Sequence, residues 1–533
     1  MVNWPLFIFL LLVLDVKMAV KAVALLAFVI PARSVFLQQE FYRQRFTWFY
    51  AGLILIGLMN LILFRFFSTP YLVVWLFGAG SWVMCIAAAG VCWWFVQHSD
   101  SKKIRSTLTL FFLVNAGCTF LQLLRIMLDA GALNPYTYQG MYQKYFINTG
   151  DLMRGITFDV STTNAIINAF GLFFFLSRDR YFFAICCTAA LALTGSNLVN
   201  LLLVMVFLFL FLFSSSRSQK SILVVCLVMI VTFLARVSPQ NNQYAAGIYQ
   251  KVFHLKPAEK TVVVNNTPLV NKADSLLSPA ELKTKTALLY LDSLSTAQAK
   301  KRESPAMGTV AITPSTAVPE KPSLPKDNIH SAPFQRKKDT TAYQRELIRV
   351  ASLYFNDPTD STTADLKKNQ GPGKWVALKE SFRFMNQRRK QLLLGMGIGN
   401  FSSKLAFRAT GLRMAGGFPE RFTYMHPDFR EHHFRLYFDY FASDAQLHSL
   451  VNSPNSTYDQ LFTEYGLAGL ALFFIFYARY FWQSAQRRTY GLPLFLLMLG
   501  ILGIDYWFEQ FSVMILFELL MLLNRKETTN VHE

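Results

Sequence analysis

Long stretches of this chain carry no charge at all. Leu201 to Phe213 is an unbroken run of Leu, Val, Met and Phe. In hydrocarbon every backbone N–H and C=O must be bonded inside the protein, and a helix does this within one segment. Such blocks therefore read as transmembrane helices. They recur at roughly 4–16, 18–33, 48–65, 71–96, 107–127, 162–177, 181–195, 198–213, 221–237, 457–480, 491–505 and 509–524. The expected fold is an all-α polytopic membrane protein with about twelve transmembrane helices. The first two spans are the weakest, because Asp15, Lys17 and Lys21 interrupt them. One long tilted helix is the alternative there.

Composition agrees with a membrane solvent. Hydrophobic residues make up 53% of the chain and charged residues 16%, against roughly 25% charged in a soluble domain. The six cysteines, Cys85, Cys92, Cys118, Cys186, Cys187 and Cys226, all fall inside apolar runs. They read as small packing residues and not as disulfide partners. No Cys/His spacing suits structural zinc. Residues 1–14 lack a clear cleavage site, so a retained span is expected and not a signal peptide.

Lys and Arg in short loops set orientation, because cytoplasmic loops hold the excess. One alternating set is rich in them: Arg33, Arg43 and Arg45; Lys102, Lys103 and Arg105; Arg178 and Arg180; Arg217 and Lys220; Arg487 and Arg488; Arg525 and Lys526. With that side cytoplasmic, the C-terminus lies inside and the large loop between spans 9 and 10 lies on the extracytoplasmic side. Four regions follow: a bundle of about nine spans over 1–237, a basic low-complexity stretch over 238–345, a mostly helical loop region over 346–456, and a three-span segment over 457–533. The low-complexity stretch is rich in Lys, Pro, Ser and Thr and is expected to be disordered or extended. The next region carries helical patterning, as in Trp375-Val-Ala-Leu-Lys-Glu-Ser-Phe-Arg-Phe-Met385. Net charge is +20. In this topology the partners of the basic loop are anionic headgroups or acidic glycans, and nucleic acid is excluded.

Three segments fall on the extracytoplasmic side. The first is Asp151-Leu-Met-Arg-Gly-Ile-Thr-Phe-Asp-Val-Ser-Thr-Thr-Asn164. The second is Leu193-Thr-Gly-Ser-Asn197, a very short polar turn between two spans. The third is a pair: Gly395-Met-Gly-Ile-Gly-Asn-Phe401, then Asn452-Ser-Pro-Asn-Ser-Thr-Tyr-Asp-Gln-Leu-Phe-Thr-Glu-Tyr-Gly-Leu-Ala-Gly-Leu470. The glycine-rich turn is no nucleotide cradle, since neither a strand nor a P-loop lysine accompanies it.

With this span layout, this loop placement and these two motifs in this order, the chain resembles the O-antigen ligase and O-antigen polymerase superfamily, outside residues 255–345. The resemblance implies a metal-independent, inverting glycosyl transfer at the outer face of the inner membrane, with no cofactor. The donor it implies is a glycan on undecaprenyl diphosphate. The acceptor is a lipid A core sugar for a ligase, or another lipid-linked repeat for a polymerase. Such a reaction needs cations to hold the diphosphate as charge builds on it, and a base to take the acceptor hydroxyl proton.

The sequence departs from the family pattern at two positions. Asn197 stands where members usually carry Arg after Thr/Ser-Gly-Ser, and Asn455 where they usually carry His after Ser-Pro. Asparagine is neutral and is no base at pH 7. Other residues then supply these roles, or the acceptor chemistry differs, or the chain is catalytically silent. For the diphosphate the candidates are Arg154, Lys374 and Arg383 with Asn197, followed by Arg388, Arg389, Arg408 and Arg413. The plain alternative for Arg388, Arg389 and Lys390 is a solvated or headgroup-facing basic surface. For the base and its neighbourhood they are His448, Glu464 and Asn455, with His426, His432, His433 and Asp459 behind them. An exposed loop histidine is the plain alternative for His448, and helix N-terminal placement for Asp459. Adjacent His432 and His433 suit a metal site poorly.

Three functions compete at this point. A membrane glycosyltransferase leads. A non-catalytic scaffold of a polysaccharide assembly machine is second. A transporter of lipid-linked glycan is third, disfavoured because the spans show no inverted halves.

Overall fold

The computed structural model describes residues 1–14, 18–64, 67–136, 149–157, 161–238, 373–411, 417–434, 436–437, 450, 453–485 and 489–529. The low-complexity stretch and His448 lie outside them, and Arg413 does too. All the described residues belong to one compact unit, and every regular element among them is helical.

The helices are α1 (Trp4–Leu12), α2 (Met18–Ala32), α3 (Arg45–Leu63), α4 (Thr69–His98), α5 (Ser101–Ala130), α6 (Ser161–Leu176), α7 (Tyr181–Leu193), α8 (Asn197–Phe213), α9 (Arg217–Val237), α10 (Gly373–Gln387), α11 (Thr457–Ser484), α12 (Gly491–Ile501) and α13 (Ser512–Thr529). Five of them, α3, α4, α5, α9 and α11, are long and apolar enough to cross a membrane; α2, α6, α7, α8 and α12 are shorter apolar helices. The outward faces of α8 and α9 are also apolar: Leu201, Met205, Leu208 and Leu212 on one, Val224, Val228 and Val231 on the other are exposed. Contiguous apolar surface of this kind needs a partner other than water.

Helices α1 and α2 are separate elements and not one tilted helix. The rings of Phe9 and Phe28 meet at 5.1 Å, whereas nineteen residues of continuous helix would separate them by about 28 Å. The two helices form a hairpin against α4, and the buried Lys21 ammonium at its head donates to the Gln510 carbonyl at 2.6 Å.

Two ends of the bundle are distinct. At one, Arg105 and Arg178 both reach Glu527, at 2.6 and 3.0 Å. Lys526 donates to the Val96 carbonyl at 2.6 Å, and Asn3 to Ser99 at 2.9 Å. At the other end, Tyr136 donates to the Leu193 carbonyl, Asn134 to Val237 at 3.1 Å, and the Thr457 amide to Leu502 at 2.9 Å. The basic short-loop residues Arg105, Arg178, Arg525 and Lys526 thus share one end, and the polar segments near 134, 153, 194, 455 and 505 share the other.

Helix α6 is the axis of one half, with every residue from Ser161 to Leu176 buried. A second core is aromatic. Phe49, Trp82, Tyr477 and Phe508 converge with centroid separations of 5.1 to 6.1 Å. Edge-to-face and tilted packing of this kind adds stabilisation beyond area burial.

Candidate functional site at the head of helix α11

The two motifs paired in the sequence close on each other. Helix α11 breaks at Gly466, whose φ of 67° and ψ of −164° lie in a region essentially restricted to glycine. Into that break fits the turn from Gly395 to Phe401. The Met396 amide donates to the Thr463 carbonyl at 2.8 Å, Gly397 to Glu464 at 3.0 Å, and Ala468 back to Leu393 at 2.9 Å. These bonds satisfy backbone groups that the break frees. Gly395 has φ of +82°, and a Cβ there would lie 2.3 Å from the Glu464 carbonyl carbon. Ile398 reaches down to Gly57 on α3 and Gly78 on α4. Asn60 on α3 donates to the Leu394 carbonyl at 2.7 Å. The turn is therefore keyed into three helices.

Glu464 is buried in this junction. Its Oε1 accepts from the Phe401 amide at 3.3 Å, and the Ser403 hydroxyl and Gly399 amide face the same carboxyl. One oxygen holds the glycine turn in the helix break, while Oε2 does not reach full hydrogen-bond geometry.

One to two turns earlier on α11, polar groups converge. Lys374, in the first turn of α10, donates from Nζ to the carbonyls of Asn455 and Ile504, both at 2.5 Å. Burial lowers its ammonium to about 8, while Asp505 and Asp459 pull the other way. The Asn455 amide donates to Asp505 Oδ1 at 3.0 Å, and Gln510 to Asp505 Oδ2 at 2.5 Å. The Tyr506 amide closes on Oδ1 at 2.8 Å. Asp459 is 1% exposed. The hydroxyls of Ser402 and Ser381 face it, yet neither carboxylate oxygen reaches full hydrogen-bond geometry, and the Ser381 Oγ and Asn455 Oδ1 atoms are in the same condition. Buried polar atoms left so carry a free-energy cost, and Asn60 Oδ1, Asn168 Oδ1 and Asn200 elsewhere in the bundle share that condition.

A histidine lies beside this group. His433, wholly buried, is pushed down to about 3 by burial and is neutral. Its Nε2 faces the Tyr506 hydroxyl at 3.4 Å, and Tyr506 also meets Ser402 at 3.0 Å and Tyr437 at 3.1 Å. His432 points elsewhere, to Glu380 at 3.0 Å, and His426 faces Asp428, which Arg388 pairs at 2.9 Å. The three rings thus turn to three different partners.

The remaining sequence candidates face other partners. Arg154 bonds its own turn, donating from Nε to the Asp151 carbonyl at 3.3 Å. Its backbone, with that of Gly155, is held by Gln122 on α5. Behind it Asn164 Oδ1 on α6 accepts from the Asn115 and Asn168 side-chain amides at 2.7 and 2.8 Å. Asn197 opens α8, half-buried, beside buried Ser196 and Asn200. The short helix Thr149–Leu152 packs on the Thr194–Gly195 turn through Gly150. Arg383 stands on the exposed side of α10, and Arg408 acts on Glu509.

Sequence reading missed Asp505, Tyr506, Glu509 and Glu518. Glu509 takes the Gln460 amide at 2.5 Å and the Leu405 amide at 3.0 Å, and Glu518 accepts from Tyr50 and Tyr477. The signal was present: acids inside apolar stretches are costly and mark function or fixed partners. Comparison with known proteins supplies no relative, since no family model, curated protein or solved structure matches the chain.

Proposed function

We propose that this chain is an integral-membrane glycosyltransferase that moves a glycan from undecaprenyl diphosphate to a lipid or glycan acceptor, as in O-antigen ligation or polysaccharide polymerisation. In this reading about twelve spans cross a bacterial inner membrane, the end rich in Arg and Lys is cytoplasmic, and the head of α11 faces the periplasm. The observation that supports it best is the convergence of Lys374, Asp459, Asp505 and Asn455 where the two motifs of the resemblance meet.

The chemistry follows from the groups. The acceptor oxygen attacks the anomeric carbon from the face opposite the diphosphate, the C–O bond to the diphosphate breaks, and its electron pair leaves with the phosphate. Asp459 accepts the acceptor hydroxyl proton, the work of a positioned base. Lys374 exchanges its carbonyl partners for the diphosphate and offsets the charge developing there. Glu464 and the glycine turn fix the position of Asp459 on α11.

A second reading is a silent scaffold. It draws on Asn455 and Lys374 being tied to Asp505 and to main-chain carbonyls. One assay separates the two. The full chain in lipid nanodiscs receives undecaprenyl-diphosphate-linked oligosaccharide and acceptor, and released undecaprenyl diphosphate is measured by mass analysis. The enzyme reading expects release, reduced about 10²- to 10⁴-fold by Asp459→Asn and about 10²- to 10³-fold by Lys374→Met. Unchanged rates in both variants would overturn the residue roles, and absence of release by the wild type with either acceptor, a lipid A core sugar or a lipid-linked repeat, would leave the scaffold.

A further inference from the structure

Helix α10 has two unlike faces. Ala377, Ser381, Phe384 and Met385 are buried against the protein. Trp375, Leu378 and Phe382 point outward with exposures of 64%, 43% and 64%. Positions i, i+3 and i+7 form one stripe on a helix. Beside the stripe lie exposed Lys379 and Arg383, and just beyond the helix exposed Arg389 and Lys390. Arg388, by contrast, is committed to Asp428.

This stripe does not end at the helix. Phe382 stacks on Phe462 of α11 at 6.1 Å. Leu393, 60% exposed, is bonded through its carbonyl to Ala468 of the same helix. From there exposed Leu467, Phe474 and Ile475 carry the apolar surface along α11, one of the helices long enough to cross a membrane.

We propose that α10 is an interfacial helix that docks on an anionic lipid leaflet. Trp375, Leu378 and Phe382 enter the boundary between headgroups and acyl chains, while Lys379, Arg383, Arg389 and Lys390 meet lipid phosphates. An exposed Trp and Phe beside Lys and Arg is the pattern of helices that lie in that boundary. Continuity with the outer face of α11 chooses a lipid surface over a protein partner, because one solvent then covers both faces. The head of α10 thereby holds Lys374 at headgroup depth. The inference rests on the membrane reading of the bundle and is independent of glycosyl transfer.

The test uses the full chain in nanodiscs of phosphatidylglycerol and phosphatidylethanolamine. A benzoylphenylalanine photocrosslinker replaces Leu378 or Phe382, and, as a control, exposed Gln387, about 140° round the helix from Phe382. Lipid adducts are read by mass spectrometry. Adducts at 378 and 382 severalfold above those at 387 are expected, with lower yield in phosphatidylcholine alone or in a Lys379→Gln, Arg383→Gln, Arg389→Gln variant. Equal yields at the three positions would overturn the proposal, as would crosslinks to a second copy or to residues 239–372. Yields indifferent to lipid charge and to the three substitutions would overturn its anionic part.

Discussion

Substituting Gly466 by alanine should unfasten the junction of the two motifs. A Cβ there would lie 2.4 Å from the Leu393 carbonyl oxygen and 2.6 Å from the Gly395 amide nitrogen. Both are backbone atoms, so no side chain can swing away to relieve the overlap. The φ of 67° with ψ of −164° adds about 1–3 kcal/mol for any residue with a Cβ. Moving the turn aside weakens three backbone bonds, Met396 to Thr463, Gly397 to Glu464 and Ala468 to Leu393, at about 0.5–1.5 kcal/mol each. The expected loss is therefore about 2.5–7.5 kcal/mol. Gly117→Ala on α5 is the control, since a Cβ there meets nothing within 4 Å, and glycine to alanine inside a helix stabilises by about 0.5–1 kcal/mol. Unfolding from mixed micelles by dodecyl sulfate titration measures both. If Gly466→Ala falls within about 1 kcal/mol of wild type, the keyed junction is wrong.

Other outcomes follow from the same geometry. The folded state holds Lys374 near 8 against an ordinary 10.5, so in that window it carries fewer protons than the unfolded chain, and stability rises with pH by up to about 3 kcal/mol. Lys374→Met should abolish that rise relative to wild type, read by unfolding at pH 7.5 to 10.5. His433 stays neutral to about 3 while an unfolded imidazole is protonated below 6.5, so stability falls as pH drops through this window, and His433→Gln should flatten that acid limb. Tyr50→Phe and Tyr477→Phe each remove a bond to Glu518 and should cost about 1–3 kcal/mol apiece, with a non-additive double variant because both donate to one oxygen.

The helices α3, α4, α5 and α9 were legible because a membrane solvent leaves runs of about 20 apolar residues, and the alternation of Arg and Lys survives as a real end of the bundle in Arg105, Arg178 and Lys526. The helices α1 and α2 were legible as separate segments at 4–16 and 18–33, but Asp15, Lys17 and Lys21 left one tilted helix open until Phe9 is seen against Phe28. Both motifs were visible, but not that one plugs the other: the contact joins Gly395 to Gly466 across a long loop, and local pattern carries no such information. Lys374 stands out after the turn-forming Gly371-Pro-Gly373, but its carbonyl partners depend on a turn at Ile504 that hydropathy reads as span. Asp505, Glu509 and Glu518 were visible as acids inside apolar stretches, but their partners were not, since Asn455, Gln460, Leu405, Tyr50 and Tyr477 come from distant segments.

The most direct test of the glycosyltransferase reading is the envelope of a strain lacking this protein. Surface glycans are resolved by gel and undecaprenyl-linked species by mass analysis. The account predicts that surface glycan falls while lipid-linked glycan accumulates, as long chains if the protein ligates and as single repeats if it polymerises. Unchanged surface and lipid-linked pools under conditions of expression would contradict it.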